Sequence, residues 1–151
     1  MIANLKRNKT EFDIFINLLM KKGKKEKALN LFLKILYILK TKFNCKEPYF
    51  LFLKGLYKVM PKLRLVRRSI NRRKFMYVPL VIHKHIAIGL ASKWILFYAK
   101  LRSEKSHALN IALELVDASS SKGGAFLKKR RYNFLLIKSK GNLKNFLKKN
   151  Y

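Results

Sequence analysis

Glu114 and Asp117 stand three residues apart in LELVDA. On a helix that spacing puts two carboxylates on one face, where they could share a Mg²⁺ ion for phosphoryl-transfer chemistry. They are two of only seven acidic residues in a chain of 151 that holds thirty-six Lys and Arg. No third acid lies near them in sequence, so the pair is expected to make ionic contacts with neighbouring cations or a partner protein instead. His83 and His85 fall where a hairpin should meet a helix, without an obvious Ser or Cys nucleophile, and are expected to cap the helix or touch phosphate. Cys45 is the single cysteine, and three scattered histidines do not supply zinc-ligand spacing. Neither catalysis nor a metal or other cofactor is expected.

Cations are the more abundant chemistry. They gather in three clusters: Lys21, Lys22, Lys24 and Lys25; Arg64, Arg67 and Arg68 with Arg72, Arg73 and Lys74; and Lys128, Lys129, Arg130 and Arg131. A single charge run is usually a solvated face, but three in a chain so poor in acids form a footprint. The net charge of +29 opposes compaction until a polyanion neutralises it. Nucleic acid fits, because each neutralised phosphate releases condensed counterions. Arginine suits bidentate phosphate contacts, and structured RNA is recognised largely through shape, phosphates and hydroxyls. RNA is therefore favoured over DNA. The rival is a cationic protein lying on a membrane surface. No spanning segment is expected, since a span needs about twenty mainly apolar residues and lysines interrupt every candidate, as Lys34 does in Leu29 to Leu39.

The elements that must carry these cations follow from periodicity. Thr10 with Asp13 resembles a capping box, and Phe12, Phe15, Ile16, Leu19 and Met20 share one helix face that ends near Gly23. Ala28, Leu31, Phe32, Ile35 and Leu39 repeat the pattern behind Lys24, Lys25 and Lys27, which oppose the helix dipole. Pro48 should open a third helix burying Phe50, Leu53, Tyr57 and Met60, and Pro61 should stop it. KLRLVRRSINRRKFMYVPLVI then alternates like a hairpin with a cationic tip at Ser69 to Lys74, and Pro79 requires an edge or an outward-facing position. A fourth helix from His83 carries Ile86, Leu90, Trp94, Tyr98 and Leu101; a fifth carries Leu109, Ala112, Leu113 and Val116 and ends at Ser121 to Gly124. A sixth, about Ala125 to Lys138, has Phe126, Phe134 and Ile137 as anchors. The aromatic rings are expected to pack rather than stack on bases.

The fold class is thus mainly α, a bundle of about six helices with one protruding basic β-hairpin. The expected organisation is a short basic tail over 1–10, a single RNA-binding domain over 11–140 with the hairpin at about 62–82, and a basic tail over 141–151. MIANLKRNK has too short an apolar run for a secretory signal and is not expected to be a cleavable leader. Lys, Asn, Ile, Phe and Tyr are plentiful while Pro and Gly are few. Their codons point to an AT-rich genome, an organelle or a reduced symbiont.

FINLLMKKGKKEKAL, MPKLRLVRRS, YVPLVI, GLASKWILFYAKLRSEKSHALNIALELVDA and, after a Gly-containing break, LKKRR occur in an order that resembles ribosomal protein S-seven of the small subunit. The resemblance runs from about Phe12 to Phe146. It implies a structural, non-catalytic component that binds the three-prime major domain of small-subunit rRNA and nucleates assembly of the head. It also implies a position beside the exit-site tRNA and the mRNA path, with small-subunit proteins S-nine and S-eleven as neighbours. Carried over, the family's GKK falls on Gly23, Lys24 and Lys25, its paired arginines on Arg67 and Arg68, and its KKR on Lys128, Lys129 and Arg130. Lys93 and Trp94 stand where the family has Arg-Trp, with Arg102 at the end of that helix; Lys93 and Arg102 join the expected RNA contacts and Trp94 is assigned to packing. The family's Gly-Gly after the paired arginines is replaced by SINRRK, the acid after KKR has become Arg131, and the long basic amino-terminal tail is much shortened. Divergence and AT-type composition imply an organelle-encoded copy in the mitochondrial ribosome, with a plastid or a reduced bacterial symbiont as the alternative.

Overall fold

α1 spans Ile2–Leu19, α2 Lys25–Thr41, α3 Pro48–Val59, α4 Lys84–Lys100, α5 His107–Ser119 and α6 Gly123–Lys138. Between α3 and α4 the antiparallel strands β1 (Leu63–Asn71) and β2 (Lys74–Val81) form a two-stranded hairpin. The computed structural model describes residues 2–71 and 74–141, with side-chain environments over 11–69 and 75–141. The expected carboxy-terminal tail lies outside the described residues from residue 142 onward. At the other end, helix begins at Ile2 rather than at a capping box, and Thr10 sits inside α1. Ile2 to Lys9 contains no Gly or Pro to interrupt it, and Ala3, Leu5, Lys6, Arg7 and Lys9 are strong helix formers. No described helix is long and apolar enough to cross a membrane.

α5 is the centre of the bundle and packs against α2, α3, α4 and α6. Its Ala108, Ile111, Ala112, Leu115 and Ala118 are buried among Phe32, Ile35 and Leu39 of α2, Phe52, Leu56 and Val59 of α3, and Ala91, Ile95 and Ala99 of α4. Each fully buried Leu, Ile or Phe here contributes on the order of 1.5–3 kcal/mol of hydrophobic stabilisation. Phe52 meets Phe15 edge-on at a centroid distance of 4.9 Å and Phe32 at 5.4 Å, joining α1, α2 and α3 through one aromatic cluster. α3 crosses α5 so closely that a Cβ on Gly55 would lie 2.8 Å from the Leu115 carbonyl oxygen.

Several buried faces differ from those read off the sequence. α3 buries Phe52, Gly55, Leu56 and Val59, leaving Phe50 62 % exposed. PYFLFLKGLYKV is apolar nearly all round, so either stripe fits helical spacing; the close crossing at Gly55 selects the one used. α4 turns Ala87, Ala91, Ile95 and Ala99 inward with Ile88, whereas Ile86 and Leu101 are exposed and Trp94 and Tyr98 flank the core. Small side chains let α4 approach α5, which a stripe of large ones would prevent. α5 buries Ala112 as expected but otherwise Ile111 and Leu115 in preference to Leu109, Leu113 and Val116. In α6 the buried residues are Ala125 and Leu136, while Phe134 and Ile137 face outward.

An acid other than Glu114 and Asp117 ties three of the helices together. Glu11 of α1 is 1 % exposed, and its Oε1 accepts from the Tyr57 hydroxyl at 2.5 Å and from Lys84 Nζ at 2.7 Å, tying α1 to α3 and α4. Burial and the hydrogen bond to Glu11 raise the Tyr57 pKa, and the same carboxylate, as hydrogen-bond partner, raises that of Lys84. Tyr57, expected in the core, is instead a half-exposed ring whose hydroxyl reaches back to a buried charge.

In the hairpin, Leu63 pairs with Val81, Leu65 with Pro79, Arg67 with Tyr77 and Arg68 with Met76, and the register is irregular between Ser69 and Asn71. β1 continues to Asn71 and β2 begins at Lys74, so those parts of the expected tip at Ser69 to Lys74 are strand, and Arg72 and Arg73 lie outside the described residues. Pro79 is buried rather than outward-facing, and it lies on an edge strand as the other half of the expectation allows, since both strands of a two-stranded sheet are edges. The sheet tolerates it because the Leu65 N–H donates to the Tyr132 hydroxyl at 2.8 Å. A donor aimed at α6 points away from β2, so Leu65 and Pro79 form a non-hydrogen-bonded pair and the ladder never required a proline N–H.

Candidate nucleic-acid interface

The hairpin presents its arginines on two faces. Paired residues of antiparallel strands share a face and successive residues alternate, so Arg64 and Arg68 stand on one side with Leu80 and Met76, and Arg67 stands on the other with Tyr77. All three arginines are exposed. The Arg67 guanidinium lies 3.6 Å from the centroid of Phe75, one diagonal position away, and is held by this cation–π contact with its edge N–H donors left to other partners. Phe75 and Tyr77 are about half exposed, at 50 % and 54 %. Sequence reasoning passed over these two rings; their spacing of two residues beside arginines in an alternating strand was the available signal. Arg72 and Arg73 lie outside the described residues, as does the side chain of Lys74.

Lys21, Lys22 and Lys24 are exposed on the turn between α1 and α2, and Lys25 is exposed as the first residue of α2. Lys22 (φ 52°) and Gly23 (φ 73°) are both left-handed, which turns the chain sharply enough to start α2 two residues later. Lys24 occupies the N-cap position of α2 without a side-chain capping bond. Lysines there add to the positive end of the helix dipole, so an anion is favoured twice over. Lys21, Lys24 and Lys27 also line a cleft with His107 from α5. Burial first, then Lys21 and Lys100, lower the His107 pKa below the usual imidazole range. Lys93 is exposed on α4 beside His85, and His83 is the N-cap residue of α4 but makes no side-chain capping bond.

The third cluster divides. Lys128, Arg130 and Arg131 are exposed on α6. Lys129 instead points at α3, where its Nζ donates to the Lys58 carbonyl at 2.6 Å. That carbonyl belongs to the last turn of α3, at the negative end of its dipole, so Lys129 acts as a C-terminal cap. Burial, followed by the nearby Lys58 and Lys62, lowers the Lys129 pKa.

Arg102 departs furthest from expectation. Its Nη2 lies 2.6 Å from Oε2 of Glu114 and also bonds Oδ2 of Asp117, and its Nε donates to Oε2 of Glu114 at 2.9 Å. The two carboxylates that could have shared a Mg²⁺ share a guanidinium. Burial lowers the Arg102 pKa, but the hydrogen bonds to Asp117 and Glu114 outweigh it, and the net direction is upward. The other oxygen of Glu114, Oε1, accepts the Ala125 N–H at 2.8 Å. One buried carboxylate therefore neutralises the cation after α4 and satisfies an unpaired donor in the first turn of α6. Gly124 completes the joint, since a Cβ there would lie 2.2 Å from the Tyr98 ring. Trp94 packs edge-on against Tyr132 at 5.4 Å, the packing role expected for it. Among the described residues no three metal-binding side chains converge.

Residues 2–133 match the family described as Ribosomal protein S7p/S5e. The "Small ribosomal subunit protein uS7" of Mycoplasmopsis pulmonis is 36 % identical over 115 residues, covering 76 % of this chain and 72 % of that protein. The protein of the same name from Nitratidesulfovibrio vulgaris matches to the same extent, 36 % over 115 residues. In Metamycoplasma arthritidis the identity is 33 % over 124 residues, covering 82 % of this chain and 78 % of the relative.

Proposed function

The chain belongs to the ribosomal protein S7p/S5e family, and from that membership we propose that it is a structural, non-catalytic constituent of the small ribosomal subunit. It binds the three-prime major domain of small-subunit rRNA, nucleates assembly of the head, and lies near the exit-site tRNA and the mRNA path, with S-nine and S-eleven as neighbouring proteins. Residues 11–140 act as one RNA-binding unit. The observation that carries this reading is the hairpin, whose exposed Arg64, Arg67 and Arg68 address two faces at once on an arm anchored to α6. Such an arm suits a junction or groove with phosphates on both sides, recognised by shape rather than base edges. Lys21, Lys22, Lys24, Lys25, Lys93, Lys128, Arg130 and Arg131 extend the contact over the bundle, and Arg72, Arg73 and Lys74 are further RNA contacts in this reading. Arg102 and Lys129 act through the fold that presents the others. Divergence and AT-type composition support an organelle-encoded copy in a mitochondrial ribosome, with a plastid or a reduced symbiont as the alternative source.

The test is equilibrium binding of the full chain to a transcript of the three-prime major domain, against an unrelated structured RNA of equal length and anionic lipid vesicles. Preferential binding to the cognate transcript is expected, weakened by Arg67→Ala and Arg68→Ala together. Equal affinity for the unrelated RNA, or preference for vesicles, would overturn the proposal.

A further inference from the structure

A groove of about 790 Å³ runs between the base of the hairpin and α6, within the size range of clefts that hold ligands. Leu63, Pro79 and Val81 line it from the strands and Ile137 from the helix. Much of that apolar surface is in water: Val81 is 83 % exposed and Ile137 61 %. Lys62, Lys129 and Lys140 form its charged edge, and no acid lines it. Lys58 and Lys62 already crowd Lys129 with like charge. Such an edge favours an anionic occupant, while the floor favours one that brings aliphatic or aromatic groups.

Two occupants meet only half of this description. RNA phosphates would answer the lysines but leave Val81 and Ile137 wet. The chain's own final residues, NLKNFLKKNY, contain Leu143, Phe146 and Leu147 but also Lys144, Lys148 and Lys149 and no acid. They would add like charge to the edge. Lys129, which caps α3, lines the groove, and none of the residues proposed to contact RNA does, so its use does not depend on the RNA reading.

We propose that the groove between the hairpin base and α6 docks an acidic, apolar segment of a partner protein. Its apolar side chains cover Leu63, Val81 and Ile137, and its carboxylates meet Lys62, Lys129 and Lys140. Proteins recognised this way combine a desolvated apolar centre with a charged rim that sets orientation.

The test uses three short fluorescent peptides and the full chain at near-physiological salt. The first alternates Leu or Phe with Glu, the second replaces Leu and Phe by Ser at the same charge, and the third replaces Glu by Lys. The first is expected to bind most tightly. Val81→Ser with Ile137→Ser, both at exposed positions, should weaken it by about tenfold or more and leave binding of the rRNA transcript unchanged. Lys140→Glu should weaken the first peptide and strengthen the third, a readout that does not depend on the serine variants folding. Equal binding of the Ser peptide would show attraction to surface charge alone and overturn the proposal. So would undiminished binding to the double variant, displacement of the peptide by the transcript, or about tenfold tighter binding after deletion of residues 142–151, which would identify the chain's own end as the occupant.

Discussion

At the scale of single residues, the scarce acids and the one crowded histidine decide more than the abundant cations. Glu114 is 1 % exposed and faces a guanidinium and a backbone N–H. Glu114→Ala leaves Arg102 with only Asp117, at the cost of about 3 kcal/mol typical of breaking a buried pair; the urea midpoint should fall accordingly with the m-value unchanged. Arg102→Ala should also destabilise, yet change RNA affinity less than Arg67→Ala, which distinguishes a residue of the fold from one of the interface. His107 carries a pH signature. Its folded pKa is lowered by burial, Lys21 and Lys100, so below the ordinary imidazole value of about 6.5 the unfolded chain binds the proton more readily. Stability should therefore decline as pH falls through that value, reaching its full loss below the lowered folded pKa. In His107→Gln that slope should be missing from melting curves taken between about pH 7 and 5. The ionic use of Glu114 and Asp117 was legible from the lack of a third acid near them in sequence. Their partner was not, because Arg102 lies twelve residues away from Glu114, across a helix junction that local pattern does not resolve. Glu11 was invisible for a related reason: its partners Tyr57 and Lys84 come from two other helices.

At the scale of elements, the order of six helices and one hairpin follows from periodicity and from Pro48, Pro61 and Gly23, whereas the inward face of several helices does not. α3 and α4 each offer two apolar stripes, and the choice between them is made by close approach to α5, a tertiary fact. Gly55 tests this. Gly→Ala in an exposed helix interior stabilises by about 1 kcal/mol, but here the added Cβ would stand 2.8 Å from the Leu115 carbonyl oxygen. Gly55→Ala is expected to destabilise by about 1–3 kcal/mol, a reversal of sign readable from denaturant midpoints. Gly89, on the neighbouring helix, has open space at its Cβ position, and Gly89→Ala should stabilise, giving the contrast within one molecule.

At the scale of the whole molecule, the +29 charge governs behaviour more than any contact. Counterion release lowers log K by roughly 0.7 to 0.9 per phosphate neutralised for each unit of log salt. Replacing Arg64, Arg67 and Arg68 together by Ala should reduce the slope by about two to three, measured by titrating the transcript across salt concentrations. Mutual repulsion should also make the free chain melt at a lower temperature than the RNA-bound one, with about 2.7 kcal/mol gained at a hundredfold excess over Kd. Charge and fold class were open to inspection in the sequence because both are sums over many residues; the groove at the hairpin base was not, because Val81 and Ile137 meet only through folding. The central position of α5 has a consequence in time. α2, α3 and α4 all close upon a helix that begins at His107, so a ribosome making this chain delivers them before their common packing partner exists. Until Ser119 has emerged, the nascent protein is a set of amphipathic, heavily cationic helices that lack the helix on which most of their interior closes. Its own synthesis thereby holds open an interval in which chaperones or RNA can engage it before the fold closes.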